Sequence, residues 1–219
     1  PKIVGNGDGC ALMRDEALAA RIIESICHAV SVPVTVKMRL GWDKGSVNCV
    51  SLAQAVEAAG ASAVTVHGRT KTMLYSGVAD WDAIRTVVEA VKIPVIANGD
   101  VFSPESALRC KARTGAAGLM LGRGTFGAPW LFARVQAALR GEVAPEPLPL
   151  AQRMQTALHQ IELARADKGE HIACLEARKH LAWYLRGVAY SGYYKEKISA
   201  VSTMDEVYAI VRGIQRDLQ

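Results

Sequence analysis

Apolar positions along this chain follow one rhythm for its first part and another for the rest. Short runs of strand-forming residues, Val34–Arg39, Ala63–His67, Val95–Asn98 and Gly118–Gly122, recur at intervals close to the length of a βα unit. Between them lie stretches with helical spacing. Arg14 to Val30 carries Leu18, Ile22, Ile23 and Ile26 on one predicted face. Val47 to Ala59 stops at Gly60, Asp80 to Val91 follows, and Ser103 to Arg113 opens with a cap serine and a first-turn proline. The joints repeat: VSVPVTVKM is echoed by VKIPVIANG, and EAAGASAVTVHG by ARTGAAGLMLGRG. Strands separated by helices imply a parallel sheet, and repeated pairs favour a (β/α) barrel over an open sheet.

Beyond Pro145, Pro147 and Pro149 the period-2 runs vanish. Ala151–Ala166, Ile172–Val188 and Thr203–Leu218 read as helices, the last with Thr203 and Glu206 at capping-box spacing. The expected organisation is therefore α/β, four βα units over residues 1–144, followed by a small helical bundle over residues 145–219.

Side chains alternate faces along a strand. In Val34–Arg39 the face opposite Val34, Val36 and Met38 carries Thr35, Lys37 and Arg39. In Ala63–His67 the face opposite Val64 and Val66 carries Thr65 and His67, and Asn98 shares a face with Ile96. If the apolar faces meet the helices, Lys37, His67 and Asn98 point inward near the C-terminal strand ends, where barrel enzymes place their sites. Lys37 and His67 are expected at the same depth on neighbouring strands. An inward lysine needs an anionic partner, either a barrel carboxylate or a ligand. Two further loops, Asn98-Gly99-Asp100 and Gly122-Arg123-Gly124, follow successive strands, and glycines there let backbone N–H groups approach a phosphate.

Composition narrows the setting. Half of the 219 residues are hydrophobic, and no apolar run approaches the roughly 20 residues that span a bilayer. The five cysteines are scattered without a CxxC pair, so neither a disulfide framework nor a zinc site is expected, and a reducing cytoplasm is the simplest home. The net charge of +5 is mild, yet +4 of charge falls between Arg178 and Lys197, where Arg178, Lys179, Arg186, Lys195 and Lys197 face only Glu196.

The ordered segments VTVKMRLGW, AVTVHGRT, YSGVADW, PVIANGDVFSPESA, GLMLGRGTFGAPWLF and RKHLAWYLRG closely resemble the tRNA-dihydrouridine synthases over essentially the whole chain. The resemblance implies an FMN enzyme, a TIM barrel followed by a helical tRNA-binding domain, in which NADPH reduces the flavin. Hydride then passes to C6 of a tRNA uracil, and a loop cysteine protonates C5. Carried over by motif, Lys37 and His67 are flavin-ring contacts, and Asn98, Gly99, Asp100, Gly122 and Arg123 form the cofactor's phosphate grip. Arg39 and Arg69, two residues further on, are expected at the barrel mouth against uracil or RNA phosphate. Arg178, Lys179 and Arg186 are expected on the tRNA face.

The chain departs from the family at its start. The proton-donating cysteine of the family belongs to a glycine-cysteine-proline motif that PKIVGNGDG resembles the sequel of, so that cysteine and the first half of the barrel are expected upstream of Pro1, and no catalytic residue is assigned within the chain. Cys10 reads as a small packed side chain. Tyr75, Trp81 and Trp130 read as packing residues, and Leu175, Leu181 and Leu185 as bundle core. Two alternatives stand beside this reading: an FMN barrel acting on a small molecule, as in dihydroorotate-dehydrogenase-like enzymes, and a non-catalytic RNA-binding fragment. Metal and membrane partners are not expected.

Overall fold

A computed structural model describes residues 2–218. The chain separates into two compact units, Pro1–Gly122 and Arg123–Gln219, and the proline-rich stretch lies inside the second.

The first unit is a four-stranded parallel sheet in the order β1 (Thr35–Arg39), β2 (Ala63–His67), β3 (Val95–Asn98), β4 (Gly118–Met120). Among the described residues β1 and β4 are its edges. Helices α1 (Glu16–Ala29), α2 (Cys49–Ala58), α3 (Trp81–Ala90) and α4 (Pro104–Thr114) alternate with the strands, which is the βα alternation of a TIM barrel. Met38, Val64, Val66, Val95 and Ala97 are buried, as are Leu52, Val56, Ile84, Val87 and Cys110 on the helices that pack against the strands. The strands' apolar parity thus meets the helices. Local chemistry sets the ends of these elements. Ser103 caps α4 in a capping box with Ser106, with Pro104 at the first helical position, and Gly115 closes it at φ 66°.

One expected face is missing. No residue of α1 is buried, and Leu18 and Ile26 of its apolar stripe are exposed. The stripe exists, but the described residues place no sheet strand over all of it.

The second unit is helical: α5 (Leu131–Leu139), α6 (Leu150–Lys168), α7 (Glu170–Tyr184), α8 (Gly192–Ala200) and α9 (Met204–Asp217). Its core joins Met154 and Ile161 of α6, Leu181 and Tyr184 of α7, Ile198 of α8, and Val207, Val211 and Ile214 of α9, with Leu185. Leu175 is exposed rather than part of this core, because it projects from α7 away from the face that carries Ala173, Ala177 and Leu181. The Thr203–Glu206 capping box forms as its spacing predicts.

Candidate active site on the sheet face of the first unit

Register decides which inward residues share a level. Arg39 pairs with His67, and His67 with Asn98, while Lys37 pairs with Thr65. Lys37 therefore lies one inward layer deeper than His67, not at the same depth as expected. The physical reason is the register of the parallel pair, which sets Arg39 rather than Lys37 opposite His67. The two layers still lie on one face, Lys37 and Thr65 below Arg39, His67 and Asn98.

His67 is 6% exposed. Burial, and then the cations Arg39, Lys37 and Arg69, push its pKa down from 6.5 to about 4, with Asp100 opposing. It is thus a neutral imidazole at pH 7, a hydrogen-bonding group rather than a charge. Lys37 is exposed on the edge strand, and the desolvation it still undergoes, followed by Arg39, holds its ammonium below the usual range, with Cys10 opposing. No carboxylate forms an ion pair with Lys37 among the described residues.

The depressed pKa of His67 yields a stability prediction. The unfolded chain takes up a proton below 6.5 that the folded chain refuses until about 4, so stability is full above 6.5 and falls as pH drops through this window. The loss reaches about 3 kcal/mol at the acid end. Denaturant midpoints measured from pH 7 down to pH 4 should show this slope, and His67→Gln should flatten it. An equal slope in both proteins would assign the acid sensitivity elsewhere.

The strand-end loops are held by polar contacts that the sequence did not reveal. Arg69 is 1% exposed. Its Nη1 and Nη2 donate to Asp100 Oδ1 and Oδ2 at 2.9 and 2.7 Å, its Nε to Ser76 O at 3.0 Å and its Nη2 to Gly77 O at 2.7 Å. Asp100 Oδ2 also accepts from Ala79 N at 2.7 Å. Arg69 is therefore corrected from a rim residue to a buried brace, because its guanidinium fork is spent within the protein. The Asp100 carboxylate likewise faces Arg69 rather than an external anion. Arg39 Nη1 donates to Thr70 O and Leu74 O at 3.0 and 3.1 Å, so it too ties down the loop after β2. Tyr75, expected as packing, is 57% exposed on that loop, whose tip also exposes Leu74 and Val78.

The two glycine loops follow adjacent strands. Asn98 pairs with Met120, and Asn98 Nδ2 donates to Met120 O at 2.8 Å, so the backbone after Asn98 and after Met120 leaves the sheet side by side. Gly99 has φ 124°, and a Cβ there would lie 2.8 Å from Ala79 Cβ and 3.1 Å from a His67 ring carbon. Trp81 Nε1 donates to Gly99 O at 3.0 Å, fixing that loop from α3. A Cβ at Gly122 would meet nothing within 4 Å, so the fold itself does not demand glycine there. Arg123 opens the 3-10 turn Arg123–Thr125 of the second unit.

In the second unit, Lys179 is exposed and its Nζ lies 5.1 Å from the Trp183 ring centroid, while Trp183 stacks on Phe126 at 4.2 Å. Arg186 is exposed just beyond α7. Arg178 is half-buried and its Nε donates to Val201 O at 2.9 Å, so part of its fork serves packing.

The cysteines behave as buried apolar groups where they are enclosed. Burial raises the Cys49 and Cys174 thiols, and pushes Cys110 up to about 11. Among the described residues no cluster of His, Cys, Asp and Glu is placed to hold a metal ion, and no helix is long and apolar enough to cross a membrane.

The family model described as dihydrouridine synthase (Dus) matches residues 1–219. A probable tRNA-dihydrouridine synthase of Rickettsia conorii is 43% identical over 214 residues, 97% of this chain and 63% of the relative. One of Rhodobacter capsulatus is 43% identical over 189 residues, 86% of this chain and 58% of the relative. The tRNA-dihydrouridine synthase B of Pseudomonas aeruginosa is 39% identical over 213 residues, 96% of this chain and 64% of the relative. The chain thus spans about three fifths of the length of these curated relatives. With a parallel βα sheet, an inward polar layer at its strand ends and a family match over its whole length, this chain belongs to the dihydrouridine synthase family.

Proposed function

We propose that this chain contributes the FMN-binding sheet face and the tRNA-binding helical domain of an NADPH-dependent tRNA-dihydrouridine synthase. The observation that carries the reading is the inward layer itself. Lys37 has no ion-pair partner among the described residues, lies beside the Arg39 cation and shares a face with a neutral His67. Such a face fits the electron-rich edge of a flavin ring, to which Lys37 supplies charge and His67 a hydrogen bond. The loops after Asn98 and Met120, with glycine at 99 and 122, fit its phosphate, and Arg123 follows the second of them. Bound there and reduced by NADPH, FMN would supply the hydride for C6 of a tRNA uracil, and a cysteine outside these residues would supply the C5 proton. Arg39, in this reading, steadies the loop after β2 and serves the substrate indirectly.

The helical residues 145–219 form the tRNA-binding domain of this reading, with Lys179 and Arg186 as its exposed cations on and after α7. Charge reversal at Lys179 should weaken tRNA binding and lower its salt dependence while flavin retention survives. Arg178→Glu should also loosen the fold, because Arg178 Nε holds Val201 O. Unchanged tRNA affinity for Lys179→Glu across a salt series would remove α7 from the RNA surface.

The open sheet adds a requirement. A closed barrel of this type needs about eight strands, and the described residues supply a sheet of four with edges at β1 and β4. We propose that four further strands, together with the proton-donating cysteine, complete the barrel in a cytoplasmic enzyme. The full-length protein should then purify with flavin absorbance and form dihydrouridine in tRNA with NADPH, whereas the 219-residue chain by itself should not turn over. Turnover by this chain alone would overturn the requirement and return Cys10 to consideration as the acid.

A further inference from the structure

Trp42 of the first unit has two cations against its ring. Arg14 Cζ lies 4.9 Å and Lys71 Nζ 4.4 Å from the ring centroid. Neither cation has an ion-pair partner among the described residues. The sequence motifs include Trp42 but assign it nothing, and Arg14 and Lys71 lie far from it in the chain.

Three segments are built to make them meet. Trp42 follows Gly41, where a Cβ would overlap the Ser46 carbonyl oxygen and come within 2.8 Å of Val47 Cα, so only glycine lets this loop double back. Gly41 and Val47 pair as an antiparallel bridge. Lys71 N donates to Gly41 O and Thr72 N to Trp42 O, each at 3.0 Å, lacing the loop after β2 to the loop after β1. Asn48 Nδ2 donates to Met13 O and to Glu16 Oε1, each at 2.7 Å, pinning the chain on both sides of Arg14. Arg14, Trp42, Asp43, Ser46 and Asn48 line a cavity of about 450 Å³. The carboxylate that lines it, Asp43, turns onto its own loop, accepting from Gly45 N at 2.9 Å and from the Ser46 hydroxyl at 2.8 Å.

Each cation gains modestly from the indole face at an exposed site. Two cations gathered on one ring with no ion-paired carboxylate repel each other, and the arrangement becomes favourable when an anion lies between them. We propose that Arg14, Lys71 and Trp42 form a phosphodiester-binding site for the RNA substrate, with the indole holding both cations in place. This rests on the tRNA-modifying function above. A continuous RNA chain is favoured over a small phosphate ligand because the site reaches solvent: Arg14 and Ser46 are exposed.

The test uses the full-length protein. In tRNA titrations at several salt concentrations, the double substitution Arg14→Gln and Lys71→Gln should weaken binding roughly tenfold and reduce the slope of log affinity against log salt by about 1 to 2. The charge-conserving pair Arg14→Lys and Lys71→Arg should keep the slope, which separates lost charge from lost fold. The KM for NADPH should stay unchanged. An unaltered slope in the Gln pair overturns the site. A raised NADPH KM with unaltered tRNA binding also overturns it, by giving the anion to the reductant. Wild-type protein without salt-dependent tRNA binding would instead sink the RNA function itself, and the site with it.

Discussion

Arg69→Ala will lower the stability of the first unit by about 3–5 kcal/mol, the cost of removing one partner from a buried ion pair. The Arg69 and Asp100 side chains are 2% and 17% exposed, so water cannot replace the lost fork. The substitution removes two bonds to the carboxylate and two to the Ser76 and Gly77 carbonyls, and leaves a carboxylate in a site built for its counter-charge. Arg69→Lys should restore only part of the loss, because an ammonium cannot span the fork. The effect should be local before it is global. Amide exchange across residues 68–80 should accelerate first, since Arg69 and Asp100 join the loop after β2 to the loop after β3. The surface pair Arg113–Asp82, whose side chains are 59% and 62% exposed, is the control, and Arg113→Ala should barely move the unfolding midpoint. Equal shifts for the two alanine variants would refute the bracing role of Arg69. Because the brace adjoins His67 and Gly99, the flavin site proposed above would be loosened in the same variant.

Gly127→Ala will destabilise the second unit by about 3 kcal/mol or more, through backbone strain and overlap together. Gly127 has φ 70°, and a Cβ there would fall within the Trp183 carbonyl group and 2.6 Å from Tyr184 N. These neighbours are the backbone at the end of α7, which cannot rotate aside as a side chain can. Either the segment around Gly127 or the end of α7 must shift, and the Phe126–Trp183 stack at 4.2 Å and 17° should be lost with it. Gly141 supplies the comparison. Its φ is 73° but a Cβ would meet nothing within 4 Å, so Gly141→Ala should show only the backbone strain of about 1 kcal/mol. Thermal unfolding of the two variants separates the contributions. If Gly127→Ala unfolds no earlier than Gly141→Ala, close approach to α7 is not what fixes this glycine.

Much of this architecture is written in local pattern. The alternation of Val with Thr and other polar residues in Val34–Arg39 and Ala63–His67 sets both strand identity and facing, because a pleat allows only two sides. Ser103-Pro104 and Thr203–Glu206 mark helix starts through bonds made within one turn, and both form. Helices α5 and α8 were not legible: α8 opens with Gly-Tyr-Tyr behind Ser191, α5 follows a run of Gly, Pro and Trp, and neither start is held by a side-chain cap. The apolar spacing of Leu175 likewise indicated a helix but not which of its faces the neighbouring helices would cover.

The sequence by itself determined the βα rhythm, the helical tail, the common sheet face of Lys37, His67 and Asn98, and the family, since each rests on residues close in the chain or on their order. Tertiary structure decided the rest. Strand register set Lys37 below His67, because level depends on pairing between strands and not on position within one. Burial of Arg69 against Asp100 turned a supposed rim cation into a brace, because a guanidinium two residues past a strand end can reach outward or fold under its own loop with equal ease in sequence. The meeting of Arg14, Trp42 and Lys71 belongs to the same class: a 3-10 turn and two loops from three parts of the chain converge only once the sheet is formed.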